Sequence, residues 1–343
     1  MSPESSDPIF GKYLAWAMLV AVALVVIAAA SMLLAPPARS VGKVARIGIL
    51  SPSWADNRGT VYPQFVQELQ ALGYAEGKNA SLISRFSDGH DERLAPLAAE
   101  LVQEKVDVLV AMQPSGALAA KRATSTIPIV FISISDPVRI GVVANLRRPG
   151  GNITGVANTP ADLNVKRLEI LKDALPQLHR VAIVARSGNP NSQAHLPDDL
   201  KAAKALGLEA RVYNVAGADE FGSSFDAIER DGMQAVLLVQ DGVFFFQRKR
   251  IAELAVKHRL PMIADGWAYA ESGAFLSYGI ANYGTLSVAA AAAVDMILHG
   301  IEPGDIPIDQ PVDLGLAVNL GVARRLEIPV DRALLLRSDE VIE

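Results

Sequence analysis

Residues Pro128–Gly155 read PIVFISISDPVRIGVVANLRRPGGNITG, and this stretch decides the fold. Its first residues are β-branched and aromatic without polar alternation, the pattern of a parallel strand covered on both faces. A Ser-Asp-Pro mouth follows at 135–137, then a predicted short helix, then a glycine-rich passage that marks the exit from one globular unit. In open α/β sheets ligands lie beyond the carboxyl ends of the strands, so Ser133, Ser135 and Asp136 stand where recognition groups belong. Taken alone, Asp136-Pro137 is equally a plain turn signal. The flanking chain has to decide.

Upstream, strand and helix patterns alternate. Val44–Leu50 (VARIGIL) is an apolar run; Thr60–Leu72 has helical spacing through Phe65, Leu69 and Leu72; Ala80–Phe86 is a second strand. Glu92–Glu104 is a predicted helix with Leu94, Leu97, Ala98, Leu101 and Val102 on one face, and Asp107–Met112 a third strand. Gln113-Pro114-Ser115-Gly116 reads as a loop that opens an alanine-rich helix.

Downstream the alternation restarts. Helices are predicted over 161–175, 194–206, 218–230 and 244–258, and strands over 180–185, 209–215, 235–240, 261–264 and 274–278. RIGIL at Arg46 corresponds to RVAIVA at Arg180, DVLVAM at Asp107 to AVLLVQ at Ala235, and PIVFIS at Pro128 to PMIADG at Pro261. Two similar α/β lobes in series is the economical reading. Gly284–His299 is a further alanine-rich helix, EPGDIPIDQP after it cannot be regular, and Leu316–Asn319 and Gly321–Leu326 add a last strand and helix. A tail of this kind crosses back between lobes and makes a hinge, with Asn152–Val156 as the first crossing.

The composition narrows the function. The chain has 343 residues, enough for two ordinary domains, and a formal net charge of −5 with no long Lys/Arg run, which leaves nucleic acid without an electrostatic footing. Cysteine is absent, which removes disulfides, thiolate metal sites, a Cys nucleophile and anchoring through a lipidated N-terminal Cys. Leu14–Ala35 is uncharged and apolar, close to the ~20 residues that span a bilayer, and Pro36-Pro37 stops it. Residues 1–43 are therefore read as a signal peptide or membrane anchor plus linker. Lys12 precedes the run while Arg39, Lys43 and Arg46 follow it, a bias against the usual export orientation, although large domains translocate largely regardless of flanking charge. Export is the expectation, with cleavage open.

The sequence gives catalysis little to work with. Five histidines lie far apart without metal-ligand spacing, and there is no GxSxG elbow, no GxxxxGK and no GxGxxG. What recurs is a polar loop after an apolar strand: Ser53 and Trp54; Gln113 and Ser115; Ser135 and Asp136; then Asn191 and Ser192, Gln240 and Asp241, Asp265 and Trp267. Hydroxyls, amides and carboxylates at one end of two sheets suit binding of a small polar molecule, which needs donors and acceptors but no tuned pKa. For any one such loop taken alone, ordinary helix capping is the stronger explanation. Phe244–Phe246 reads as packing at a helix start. No enzyme, metal or cofactor is expected.

The central stretch, together with DVLVAMQPSGALAA, SGNPNS, SGAFLSYGIANYG, PGDIPI, LAVNLGVARRLEIPV and RSDEVIE, resembles the ABC-transporter substrate-binding proteins of the tryptophan and tyrosine type. The resemblance runs from Arg46 to the C-terminus. It implies a type I periplasmic-binding fold: α/β, two doubly wound parallel-sheet lobes joined by a multi-strand hinge, with lobe 1 formed by 44–155 and 282–312 and lobe 2 by 156–281 and 313–343. It also implies that Ser115, Ser135, Asp136, Asn191, Ser192 and Asp241 line the interlobe cleft, where Asp136→Ala and Asp241→Ala should each weaken binding without unfolding the chain. The expected role is an extracytoplasmic, monomeric receptor that passes a small polar solute, amino acids included, to an ABC permease. The alternative is a membrane-anchored sensor acting on a partner protein in trans, and N-terminal sequencing of the mature protein separates a released from an anchored form. The family's frequent Thr before Pro-Ser is here Gln113, its Thr-Asp-Asn is Gln240-Asp241-Gly242, and its His-Pro after the first strand is Ser53-Trp54. These departures fall in the ligand loops and put an aromatic amino-acid ligand in doubt.

Overall fold

The protein is described by a computed structural model covering residues 44–54, 61–158, 163–310 and 313–343. The apolar run at 14–35 lies outside the described residues. Among those described, no helix is long and apolar enough to cross a membrane.

Two sheets organise the chain. The first contains β1 (Ala45–Ser51), β2 (Ala80–Phe86), β3 (Val108–Met112), β4 (Ile129–Ile134) and β5 (Ile153–Ala157), all parallel, in the order β2-β1-β3-β4-β5. The second contains β6 (Arg180–Arg186), β7 (Glu209–Val215), β8 (Ala235–Leu238), β9 (Met262–Ala264), β10 (Leu276–Ile280), β11 (Leu314–Asn319) and β12 (Glu340–Ile342) in the order β12-β11-β10-β9-β8-β6-β7. Within it, β7-β6-β8-β9-β10 repeats the winding of the first sheet, so the correspondences read from the sequence (β1 with β6, β3 with β8, β4 with β9) are positions in the same topology. Among the described residues, only the β10–β11 pair is antiparallel.

The unbroken apolar strands follow from cover on both faces. In β3, Val108, Val110 and Met112 join one core cluster while Leu109 and Ala111 join the cluster on the opposite face, the two-residue period of a strand. In β8, Ala235 and Leu237 alternate with Val236 and Leu238 in the same way. Gly155 is fixed by this packing. A Cβ there would fall 2.3 Å from the Phe131 carbonyl oxygen, so no side chain fits without moving β4.

The chain changes sheets more than once. Helix Gly284–Leu298 follows β10 of the second sheet, yet its Leu286, Ala290, Ala291, Val294 and Ile297 pack with Ile47, Val108 and Val130 of the first. Burying Leu286, Val294 and Ile297 contributes roughly 1.5–3 kcal/mol each, enough to decide where a helix of small alanines belongs. The chain then runs beside β5, where Thr154 Oγ1 donates to the Ile306 carbonyl (2.8 Å), before β11 returns it to the second sheet.

Several local expectations differ from the structure. Residues 152–156 are mostly the edge strand β5 rather than a crossing. The segment 137–141 forms turns, not a helix. Gln113–Gly116 and Pro190–Ser192 are first turns of helices Gln113–Ala123 and Pro190–Ala205, because each Pro sits where a missing N–H costs nothing. Helix Arg332–Leu336 and β12, five and three residues long, are too short to show a period in the sequence.

Candidate functional site

In each sheet the winding reverses at one place, between β1 and β3 in the first and between β6 and β8 in the second. Close to these points, the carboxyl ends of β3, β4 and β8 border a cleft. A cavity there has about 510 Å³ of empty space, including the part open to solvent, and is walled by Val61, Met112, Ile132, Phe245, Phe246, Tyr269 and Tyr283. Its polar lining is Gln113, Ser133, Gln240 and Asp241, with Gly242 beside them.

Two lining residues hold a conformation that L-residues avoid: Gln113 has φ +64° and Ser133 φ +69°. Such backbones cost about 1–3 kcal/mol each and persist where surroundings enforce them. At Ser133 the cause is a register shift between Ile132 and Ile134, which re-aims the side chain. Ser133 Oγ accepts from Asn158 Nδ2 at 3.1 Å. Gln113 directly follows β3 and begins the next helix, and its carboxamide crosses the cleft to lie against Gly242. A Cβ on Gly242 would fall 1.6–2.1 Å from the Gln113 amide atoms.

Asp241 is placed at the cavity but fully engaged. Its Oδ1 caps helix Gly242–Phe246, accepting from the Val243 and Phe244 N–H groups at 2.7 and 3.2 Å. Its Oδ2 accepts from Arg186 Nε at 2.8 Å and Asn189 Nδ2 at 2.9 Å. Arg186, at the end of β6 and 2 % exposed, reaches Asp91 of the first lobe with its other nitrogen. Burial opposes the charge on Arg186, and the fields and hydrogen bonds of Asp241 and Asp91 outweigh it, so the guanidinium is held above its ordinary pKa. The sequence signal was a charged residue closing an apolar strand. Asp241→Ala would leave Arg186 with Asp91 as its one carboxylate and would uncap the helix, so it is expected to cost stability as well as binding.

The other predicted residues divide by geometry. Gln240 lines the cavity, and Ser135 Oγ donates to its Oε1 at 3.3 Å across the cleft. With its amide oxygen turned to them, Asn191 accepts from the Ser135 and Asp136 N–H groups at 3.1 and 3.2 Å, again joining the lobes. Asp136 opens on a neighbouring hollow with Arg139, His195, Asp198 and Asp199. Arg139 Nη1 pairs with Asp198 at 2.6 Å and His195 Nδ1 at 3.0 Å. Trp54 meets Phe246 edge to face at 6.3 Å. Ser53 is buried against Ser51 (2.7 Å), and Ser192 Oγ donates to the Gln240 carbonyl at 3.3 Å, so both act within their own lobe. The Ser115 hydroxyl is buried and outside the cavity lining. Trp267 is the first residue of a short helix and packs against Gly315. Phe245, Phe246, Tyr269 and Tyr283 were missed, because aromatic residues at helix starts read as core; Phe244, beside them, is core.

Asp265 lies behind the cavity. Its Oδ1 accepts from Arg167 Nη2 (2.5 Å) and its Oδ2 from the Tyr283 hydroxyl (2.8 Å). Burial, with Asp265 nearby, raises the Tyr269 and Tyr283 phenols well above their ordinary pKa, so both stay protonated. Arg167 also donates to Asn164 Oδ1 (2.7 Å), and Asn164 Nδ2 donates to Asp199 Oδ2 (3.0 Å). Burial pushes the Asp199 carboxyl up to about 6, against the opposing bond from Asn164. With the folded pKa above the unfolded one, the native state binds more protons between about pH 4 and 6, and stability falls as pH rises through that window. Asp199→Asn is expected to flatten this fall and stabilise the protein at pH 7 by on the order of 2 kcal/mol, checked by urea unfolding across pH.

The family model described as ABC transporter substrate binding protein matches residues 46–342. A tyrosine-binding protein of Clostridioides difficile (strain R20291) is 25 % identical over 281 residues, covering 80 % of each chain. The crystal structure of a conserved domain protein from Vibrio cholerae is 26 % identical, with a TM-score of 0.80 over 87 % of this chain and 100 % of that one. An ABC domain from Streptococcus pneumonia in complex with L-Trp is 22 % identical, with a TM-score of 0.78 over 87 % of this chain and 99 % of that one.

Proposed function

The chain belongs to the ABC transporter substrate-binding protein family, and from that premise we propose that it is an extracytoplasmic receptor that captures a small solute between its lobes and delivers it to a permease. The observation that carries this reading is that one cavity draws its walls from both sheets: Met112, Gln113 and Ser133 from one, Gln240, Asp241 and Phe245 from the other. A ligand touching both lobes favours the closed arrangement by the contacts it makes only there. The division of lobes is residues 44–155 with 282–312 and 156–281 with 313–343, a monomer serves this role, and the N-terminal segment takes the chain to or across the membrane. Ligand contact falls to Gln113, Ser133 and Gln240, with Ser135 and Asp136 at the rim. The relatives are named for binding rather than for a reaction, in keeping with a protein that performs none.

Native mass spectrometry of the protein purified from its own host tests this. The expected result is a stoichiometric small molecule, lost on denaturation, and stimulation of the cognate permease's ATPase by the loaded protein. A chain that carries nothing and stimulates nothing would overturn the reading.

A further inference from the structure

Resting on the receptor reading, we propose that the cavity takes an uncharged molecule with a flat apolar body and an amide-type edge, read by the carboxamides of Gln113 and Gln240, and that it rejects zwitterionic amino acids.

The argument starts from charge. An ammonium group needs a carboxylate with a free lone pair. A carboxylate offers about four such sites, and at Asp241 four donors occupy them: Val243 N, Phe244 N, Arg186 Nε and Asn189 Nδ2. Asp265 is wholly buried and engaged by Arg167 and Tyr283. Asp91, the third acid of this region, pairs with Arg186 through Oδ2 and keeps a buried Oδ1 without a hydrogen-bond partner, but it is not part of the cavity wall. An ammonium buried in this cavity would find no free carboxylate among the lining residues, and an unpaired buried charge is strongly disfavoured.

The polar groups that remain are neutral. Gln240 uses Oε1 to accept from Ser135, which leaves its NH2 as donor. The Gln113 carboxamide makes no hydrogen bond to a described residue, and it lies against Gly242 among the residues that line the cavity. Glycine would adopt φ +64° at position 113 without strain, so the backbone alone gives no reason for a long side chain there. A primary amide pairs in two directions with a group that carries a donor beside an acceptor, such as a carboxamide, a lactam or a nucleobase edge. Phe245, Phe246, Tyr269, Tyr283, Met112 and Ile132 supply flat apolar walls for the body of such a molecule. A sugar fits poorly, because its ring of hydroxyls outnumbers the partners that Gln113, Gln240 and Ser133 provide.

The test is calorimetric titration of the purified protein with nicotinamide, uracil and hypoxanthine, and in parallel with L-tyrosine and L-tryptophan. At least one neutral probe should bind at least tenfold more tightly than either amino acid. Gln113→Leu should weaken it tenfold or more with the thermal midpoint unchanged, and Gln240→Leu should do the same if the first variant folds poorly. Binding of either amino acid as tightly as the best neutral probe, no binding of any neutral probe, or wild-type affinity in both variants would overturn the proposal. Tight amino-acid binding would leave the receptor reading intact, whereas an empty host-purified protein that leaves the permease idle would remove that reading itself.

Discussion

Arg186→Met is expected to lower the unfolding free energy by about 3–5 kcal/mol in urea denaturation followed by circular dichroism. Arg186 is one of the largest fully buried side chains, and it holds Asp241 at the end of the second sheet and Asp91 across the cleft. Methionine fills much of the same volume but leaves Asp241 buried with its charge and without its cation, and such a half-pair is what makes truncation costly. Asp91→Asn is expected to cost far less, because Asp91 is partly exposed and Arg186 keeps Asp241. A loss below about 1 kcal/mol for Arg186→Met, the value of an exposed pair, would show that the triad is not a buried ion pair in solution.

Arg167→Met should cost a similar about 3–5 kcal/mol for a related reason. Arg167 is 2 % exposed and donates to three acceptors: Asp265, Asn164 and the Tyr278 carbonyl on β10. Removing it leaves Asp265 buried with its charge. It also removes the cation that pulls the Asp199 carboxyl down, so the Asp199 pKa should rise further above about 6. Carboxyl titration by NMR distinguishes this from general loosening, which would let the value fall back toward that of an exposed carboxyl.

The fold was readable because its strands are continuous apolar runs and its helices carry clear faces; DVLVAM admits no other element so near two turn signals. The matching windings of the two lobes were legible as repeated strand patterns at Arg46 and Arg180, at Asp107 and Ala235, and at Pro128 and Pro261. The site was less so. Sequence order marks which residues end strands, and Gln113, Gln240 and Asp241 do border the cavity. Spacing does not say which way a carboxylate turns, and Asp241 and Asp265 turn to buried arginines. It was equally silent on Tyr283, whose hydroxyl closes on Asp265. Such pairings depend on contacts between residues 55 and 98 positions apart.

The return of helix Gly284–Leu298 to the first sheet sets a timetable for synthesis. The face of that sheet formed by Ile47, Val108, Val110 and Val130 is covered by Leu286, Ala290 and Val294. The ribosome has therefore made all of β6 to β10 before the first lobe can be finished. An amino-terminal half that emerges alone covers that face only in part, through Tyr62, Phe65 and Leu69, and leaves the rest exposed, a condition under which growing chains aggregate.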